Sequence, residues 1–208
     1  NIVREAYGEH GVHYLAPNLG SPWELVSKVP LNSAADFEGK KIRGFGIEAE
    51  WWSALGAEPV NVGGAEIYTA LATGVVDAVR WGDESQNLAQ GLQEIAKYYI
   101  KPAPMPAPNN HILVNQATWD SMPADLQAIM EGAAKLASMK YLTLTALSRG
   151  PARAELEAAG MEFTTIPSDE WLAMQQEVRA IWAKYGEQDE RAAEAVALLQ
   201  EFLKELGR

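Results

Sequence analysis

A chain of 208 residues, 48% of them hydrophobic and 22% charged, carries enough apolar material for one or two compact domains and reads poorly as a disordered segment. The formal net charge of −11, with no basic cluster longer than Lys40-Lys41, argues against a nucleic-acid surface. The absence of cysteine excludes disulfides, thiol nucleophiles and thiolate metal sites, and no apolar run reaches the roughly 18 residues of a membrane span.

In chain order, Ile2 to Gly11 has helix-like spacing, and Val12-His13-Tyr14-Leu15 predicts a short strand ending at Ala16-Pro17-Asn18. Residues 18–35 are rich in Asn, Gly, Ser and Pro, with turn chemistry at Asn32 to Asp36. Lys41 to Phe45 then reads as a strand, followed by an acidic helix start, Trp51 to Leu55, and a stop at Gly56. Pro59 to Val62 supplies another strand, Glu66 to Thr73 a helix stopped by Gly74, and Val75 to Val79 an apolar strand. Such alternation favours an α/β fold with largely parallel strands.

Leu88, Leu92 and Ile95 mark one side of a helix between Gly82 and Lys97. Pro102, Pro104, Pro106 and Pro108 enforce an extended crossing segment before a strand at His111 to Asn115. One long amphipathic helix runs from Pro123 to Leu147, broken or kinked at Gly150-Pro151. A further helix over 152–159, a strand at Met161 to Ile166, a helix entered at Ser168-Asp169-Glu170 and reaching about Tyr185, and a last helix from Asp189 to Leu206 complete the chain.

Enzyme chemistry leaves few traces. His10, His13 and His111 show no zinc-binding spacing, and neither a G-x-S-x-G elbow nor a phosphate-binding Gly-rich loop is present; after Gly44 and Gly46, Ala49 leaves the dinucleotide pattern incomplete. The paired carboxylates Glu48/Glu50 and Asp83-Glu84 could serve acid/base work, but such pairs are more often solvated or capping.

The stretch D-F-E-G-K-K-I-R from Asp36 to Arg43, then L-G-A-E-P-V, then A-E-I-Y-T-A-L-A-T-G-V-V-D-A up to Ala78, resembles the signature of the solute receptors of tripartite ATP-independent periplasmic (TRAP) transporters. Downstream, W-G-D-E-S-Q-N and G-L-Q-E-I-A-K-Y-Y resemble the family's hinge strand and following helix, and L-V-N-Q-A-T-W-D-S-M-P-A-D-L-Q-A-I its entry to the long helix. The resemblance implies a two-lobed α/β fold of the type II periplasmic binding protein kind that closes over its ligand. Motif order implies that the N-terminal part of one lobe lies outside this sequence, with Asn1 an internal start. The expected division is 10–107 plus 150–185 for an arginine-bearing lobe, 108–149 for part of the other lobe with a long inter-lobe helix, and 186–208 for a C-terminal helix.

By the same resemblance Arg43 is the ligand-carboxylate arginine, and a planar guanidinium at a strand end suits a two-pronged grip on a carboxylate. Trp81 falls where many relatives carry the Asn of an E-N-P motif and the keto-acid and lactate-type relatives a Trp, and its ring either stacks on a ligand or packs the hinge. Arg80 replaces the family's Glu, either as a second cation for a diacid or as a solvent-facing residue. Phe45, Tyr68, Trp23, His13 and Asn110 are further candidates for the ligand site. Gly63-Gly64 argues against a bulky sugar acid and for the keto-acid and lactate branch. No cofactor is required, although a calcium or sodium ion bridging the ligand is compatible with the oxygens of Glu84, Gln86 and Asp83. The implied protein is a periplasmic receptor, not an enzyme, delivering a small organic acid to TRAP membrane permease subunits without inserting into the membrane or binding nucleic acid. A ligand-sensing module on the same scaffold, and then a carboxylate-processing enzyme, are the alternatives.

Overall fold

The computed structural model describes residues 2–207; Asn1, read above as an internal start, lies outside them. In chain order the elements are α1 (Ile2–Gly8), β1 (Val12–Leu19), β2 (Trp23–Ser27), β3 (Lys41–Arg43), α2 (Ile47–Ala54), β4 (Glu58–Val60), α3 (Ile67–Thr73), β5 (Ala78–Arg80) and α4 (Glu84–Ala89). They continue with β6 (Tyr98–Met105), β7 (Asn109–Asn115), α5 (Gln116–Asp120), α6 (Ala124–Ala158), β8 (Glu162–Thr165), α7 (Ser168–Gly186) and α8 (Glu190–Glu205).

Two compact units share these elements. The first comprises the chain up to Leu19, Asn109–Tyr141, and the chain from Arg179 onward; the second comprises Gly20–Pro108 and Leu142–Val178. The division thus falls at Leu19 where the sequence suggested residue 10, so His13 belongs to the first unit.

In the first unit β1 and β7 pair antiparallel as a two-stranded sheet, with Tyr14 opposite Leu113 and a register shift before Ala16. Leu15, Ala16, Trp119 and Ala134 form its buried core. In the second unit six strands run in the order β4-β3-β5-β2-β6-β8. The parallel βαβ reading holds for β3 with β4 and β5, and β6 is parallel to β8; β2, however, is antiparallel to both of its neighbours, which makes the sheet mixed. Four of the five β2 residues are buried, as a strand covered on both faces requires. Val26, Ile67, Leu71, Val76, Val79, Leu92, Tyr99 and Leu156 fill the core around it.

Three departures from the sequence pattern have physical causes. The helix expected from Gly82 to Lys97 ends at Ala89, because Gly91 takes a left-handed φ of 72° and only a 3-10 turn follows. Pro102 and Pro104 lie inside β6, beyond the β8 partners that end at Lys101, so their missing N–H groups leave that ladder intact. Pro151 does not stop α6, which is continuous over 35 residues. Ala152 and Leu156, just beyond the proline, are buried, and Arg149, just before it, is anchored to Glu84; packing on both sides offsets the lost backbone hydrogen bond.

Candidate functional site

At the C-terminal end of β3, Arg43 is buried, with 7% of its surface exposed. Its Nε donates to the Val62 carbonyl at 3.0 Å and its Nη1 to the Arg80 carbonyl at 3.1 Å. The parallel pairing of Arg43 with Val60 places the chain just beyond β4 within reach, and the end of β5 supplies the second acceptor. Two fixed acceptors orient the guanidinium plane and leave the rest of the Nη1/Nη2 edge available to a ligand. Phe45 and Trp81 lie over the cation, their ring centroids 5.3 and 5.6 Å from Cζ. Burial, and then the nearby Arg80 charge, lower the Arg43 pKa, with Glu48 opposing; an arginine remains protonated throughout the neutral range.

Arg80 does not face solvent: only 3% of it is exposed. Its Nε and Nη2 both donate to the Glu48 carboxylate, and its Cζ sits 4.6 Å from the centroid of Trp23. The remaining Nη1 is buried without a hydrogen-bond partner. Glu48 occupies the first turn of α2, where a carboxylate complements the helix dipole. The structure therefore brings together Arg43, Phe45, Trp81, Arg80 and Trp23, and adds Glu48, which sequence reasoning left as a solvated or capping group. The missed signal was physical: two buried arginines require an anionic neighbour.

Gly64 sets the position of the Trp81 ring. A Cβ there would lie 3.0 Å from Cη2 and 3.2 Å from Cζ3, so the indole would have to give by a few tenths of an ångström. Tyr68 belongs elsewhere: its hydroxyl donates to Glu94 at 2.8 Å on an exposed surface, and that bond raises its pKa. His13 and Asn110 are in the first unit, the former stacked on Trp119 at 4.0 Å between centroids, the latter exposed on β7 opposite Asn18.

A second charged cluster joins Glu24, Glu84, Lys101 and Arg149. Lys101 Nζ donates to Glu24 at 2.6 Å and to Glu84 at 2.9 Å, while Arg149 reaches Glu84 through Nε at 2.6 Å and Nη2 at 3.2 Å. Burial works against the Glu84 anion, yet hydrogen bonds from Arg149 and Lys101 outweigh it and bring the carboxyl down to about 2. For Glu24 burial prevails over Lys101 and Arg149, and its pKa rises.

These commitments bear on the expected metal ligands. Both Glu84 oxygens are taken by cations. Asp83 caps α4, its Oδ1 accepting from Gln86 N at 3.0 Å and Ser85 Oγ at 2.7 Å, and Gln86 Oε1 accepts from Asp83 N at 3.2 Å. Two carboxylate oxygens, Asp83 Oδ2 and Glu24 Oε2, remain buried and unpartnered. Among the described residues no group of three or more His, Asp or Glu side chains is placed to hold a metal. Hard cations take six or more oxygens, and this set, already neutralised by Lys101 and Arg149, does not fit one.

The α/β architecture is that of the TRAP periplasmic solute-binding proteins. The chain belongs to the DctP family, family 7 of the bacterial extracellular solute-binding proteins, which it matches over residues 3–189. It is 29% identical over 160 residues to a monocarboxylate 2-oxoacid-binding periplasmic protein of Nostoc sp., covering 76% of this chain and 44% of that protein. It is 30% identical over 167 residues to the C4-dicarboxylate-binding periplasmic protein DctP of Rhodobacter capsulatus, with 76% and 45% covered. The solved TRAP periplasmic solute-binding protein of Colwellia psychrerythraea, with bound calcium and pyruvate, superimposes with a TM-score of 0.88 at 26% identity, covering 99% of this chain and 63% of that one. The chain thus spans less than half the length of these curated relatives.

Proposed function

We propose that this chain is the arginine-bearing part of an extracytoplasmic TRAP receptor that captures a small organic carboxylate in the periplasm and passes it to the membrane permease subunits. The observation that carries this reading is Arg43, buried, fixed by two backbone carbonyls and flanked by Phe45 and Trp81. Because folding already orders the side chain, a carboxylate meeting its free edge forms charge-assisted hydrogen bonds without immobilising a flexible group. Trp81 and the half-exposed Phe45 add cation–π contacts to the guanidinium face. The names of the Nostoc and Rhodobacter relatives, both carboxylate binders, support the ligand class. Nothing in the cluster requires covalent chemistry, and among the described residues no helix is long and apolar enough to cross a membrane.

The test is calorimetric titration of the full natural chain with small carboxylates. Arg43→Ala should weaken binding about 100-fold, and Arg43→Lys, which keeps the charge but loses the fork, about tenfold. Wild-type affinity in a variant whose circular dichroism is unchanged would defeat the assignment.

A further inference from the structure

The surroundings of Arg43 depend on the residue that ends the neighbouring strand. Arg80, the last residue of β5, lends its carbonyl to Arg43 Nη1 and is followed at once by Trp81, whose ring lies over the Arg43 cation. Its own guanidinium lies against the Trp23 ring and closes a two-pronged hydrogen bond with Glu48 in the first turn of α2. Only 11% of the Glu48 side chain and 3% of Arg80 are exposed. A charge-assisted fork held that far from water fixes both a distance and a plane, and breaking it leaves a buried guanidinium unmatched.

The other segment joined by this bridge carries Phe45. Between Arg43 and α2 the chain reads Gly44-Phe45-Gly46. Gly44 fits against Trp52, where a Cβ would lie 2.7 Å from Cδ1, and Gly46 takes a left-handed φ of 57°. With glycine on both sides of the aromatic residue, this segment has little stiffness of its own. Its near end is held by the Gly44 N–H, which donates to the Val60 carbonyl at 3.1 Å. Its far end is held by Glu48, two residues beyond Gly46, which ties α2 to β5. One bridge thus connects the Arg80 carbonyl that orients Arg43 with the segments bearing the two rings on its face.

We infer that Glu48 is a positioning residue of the carboxylate site: its fork with Arg80 sets where Arg43, Phe45 and Trp81 stand relative to one another, without touching the ligand. The inference rests on the carboxylate reading above and adds an effect of opposite sign to simple electrostatics. Glu48 is an anion within electrostatic reach of Arg43. Acting by charge alone it would oppose the arrival of a carboxylate, and neutralising it would tighten binding. Acting by position, its neutralisation weakens binding.

Calorimetric titration of pyruvate and succinate into the full natural chain and its variants tests this, with urea unfolding in parallel so that affinities refer to folded protein. Glu48→Gln, Arg80→Gln and the double variant, whose net charge equals that of wild type, should each bind the preferred acid about tenfold more weakly. The double variant should be no worse than either single one, because all three lose the same fork. A charge-only role gives a different series, with Glu48→Gln tighter than wild type, Arg80→Gln weaker and the double variant unchanged. That series, wild-type affinity in all three, or a double variant about 100-fold weaker would overturn the inference and leave the carboxylate reading standing. Arg80→Lys keeps a buried cation opposite Glu48 but loses the fork. It should bind about fivefold more weakly, and it decides the question if the neutralised variants do not fold. Wild-type affinity in Arg43→Ala, or a wild type that binds neither acid, would overturn both the carboxylate reading and the role of Glu48.

Discussion

The second unit holds two buried charge clusters built on opposite principles. Around Glu84, the carboxylates of Glu24 and Glu84 meet Lys101 and Arg149 in direct hydrogen bonds, with the buried Asp83 carboxylate capping α4 beside them. Around Arg43, two cations meet one carboxylate, and part of the Arg43 edge meets no protein group. A network whose donors and acceptors are matched gains little from a ligand and contributes to the fold, while an open guanidinium edge can still gain charge-assisted hydrogen bonds from an anion. The comparison teaches that burial of charge alone does not mark a binding site; a fixed donor edge left open by the protein does.

The largest expected effect separates these roles. Glu84→Gln leaves Lys101 and Arg149 to share the single carboxylate of Glu24, and because both cations are partly exposed the cost should be about 1–3 kcal/mol, read by urea unfolding. Carboxylate affinity of the folded fraction should be unaffected. A variant with normal stability but abolished binding would reverse the assignment of the two clusters.

Acid titration sharpens the same contrast. The Glu84 carboxyl, depressed to about 2 from an ordinary 4.5, contributes stability that is present above 4.5 and is lost as pH falls toward 2. Glu24 has the opposite sign: its raised pKa means that the native state binds the proton more tightly, so its contribution diminishes as pH rises above 4.5. Stability measured between pH 5 and 2 should therefore fall less steeply in Glu84→Gln than in wild type, and more steeply in Glu24→Gln. Parallel acid limbs in all three proteins would contradict the hydrogen-bonding pattern of the network.

A smaller effect belongs to the aromatic wall of the arginine cluster. In Gly64→Ala the new methyl meets Trp81 at 3.0 Å, and the indole must shift relative to Arg43. Carboxylate affinity should drop roughly fivefold, about 1 kcal/mol, with the dissociation constant measured by tryptophan fluorescence. Unaltered affinity would show that the Trp81 ring packs the strand end without touching the ligand.

Much of this was legible in the sequence wherever a local pattern carries the physics. Arg43, Phe45 and Trp81 follow from a strand end and a signature motif, and helices such as α3, α7 and α8 follow from periodicity and caps. What escaped depends on distant partners. Glu48 acquires its role only because β5 brings Arg80, 32 residues away in the chain, against the first turn of α2. β2 lies between Pro22 and Pro30 and is buried on both faces, so it shows no alternation to betray a strand. Lys101 and Arg149 meet Glu84 through the sheet and α6, a convergence no spacing rule announces. Pro151, a reliable breaker in isolation, is overridden by the packing of Ala152 and Leu156.

The smallest effect concerns Tyr68, a signature residue that the motif would place at the ligand. In the structure its hydroxyl is bonded to the exposed Glu94, outside the arginine cluster. An exposed hydrogen bond of this kind is worth only a few tenths of a kcal/mol, since water replaces it readily. Tyr68→Phe should therefore change the unfolding free energy by less than about 0.5 kcal/mol and the carboxylate dissociation constant by less than about twofold. Affinity lost by about tenfold, with stability intact, would return Tyr68 to the ligand and require α3 to present it differently in the bound receptor. The hydroxyl is the atom to remove, because the ring also packs beside Gly91, and a change to alanine would confound the lost bond with lost packing.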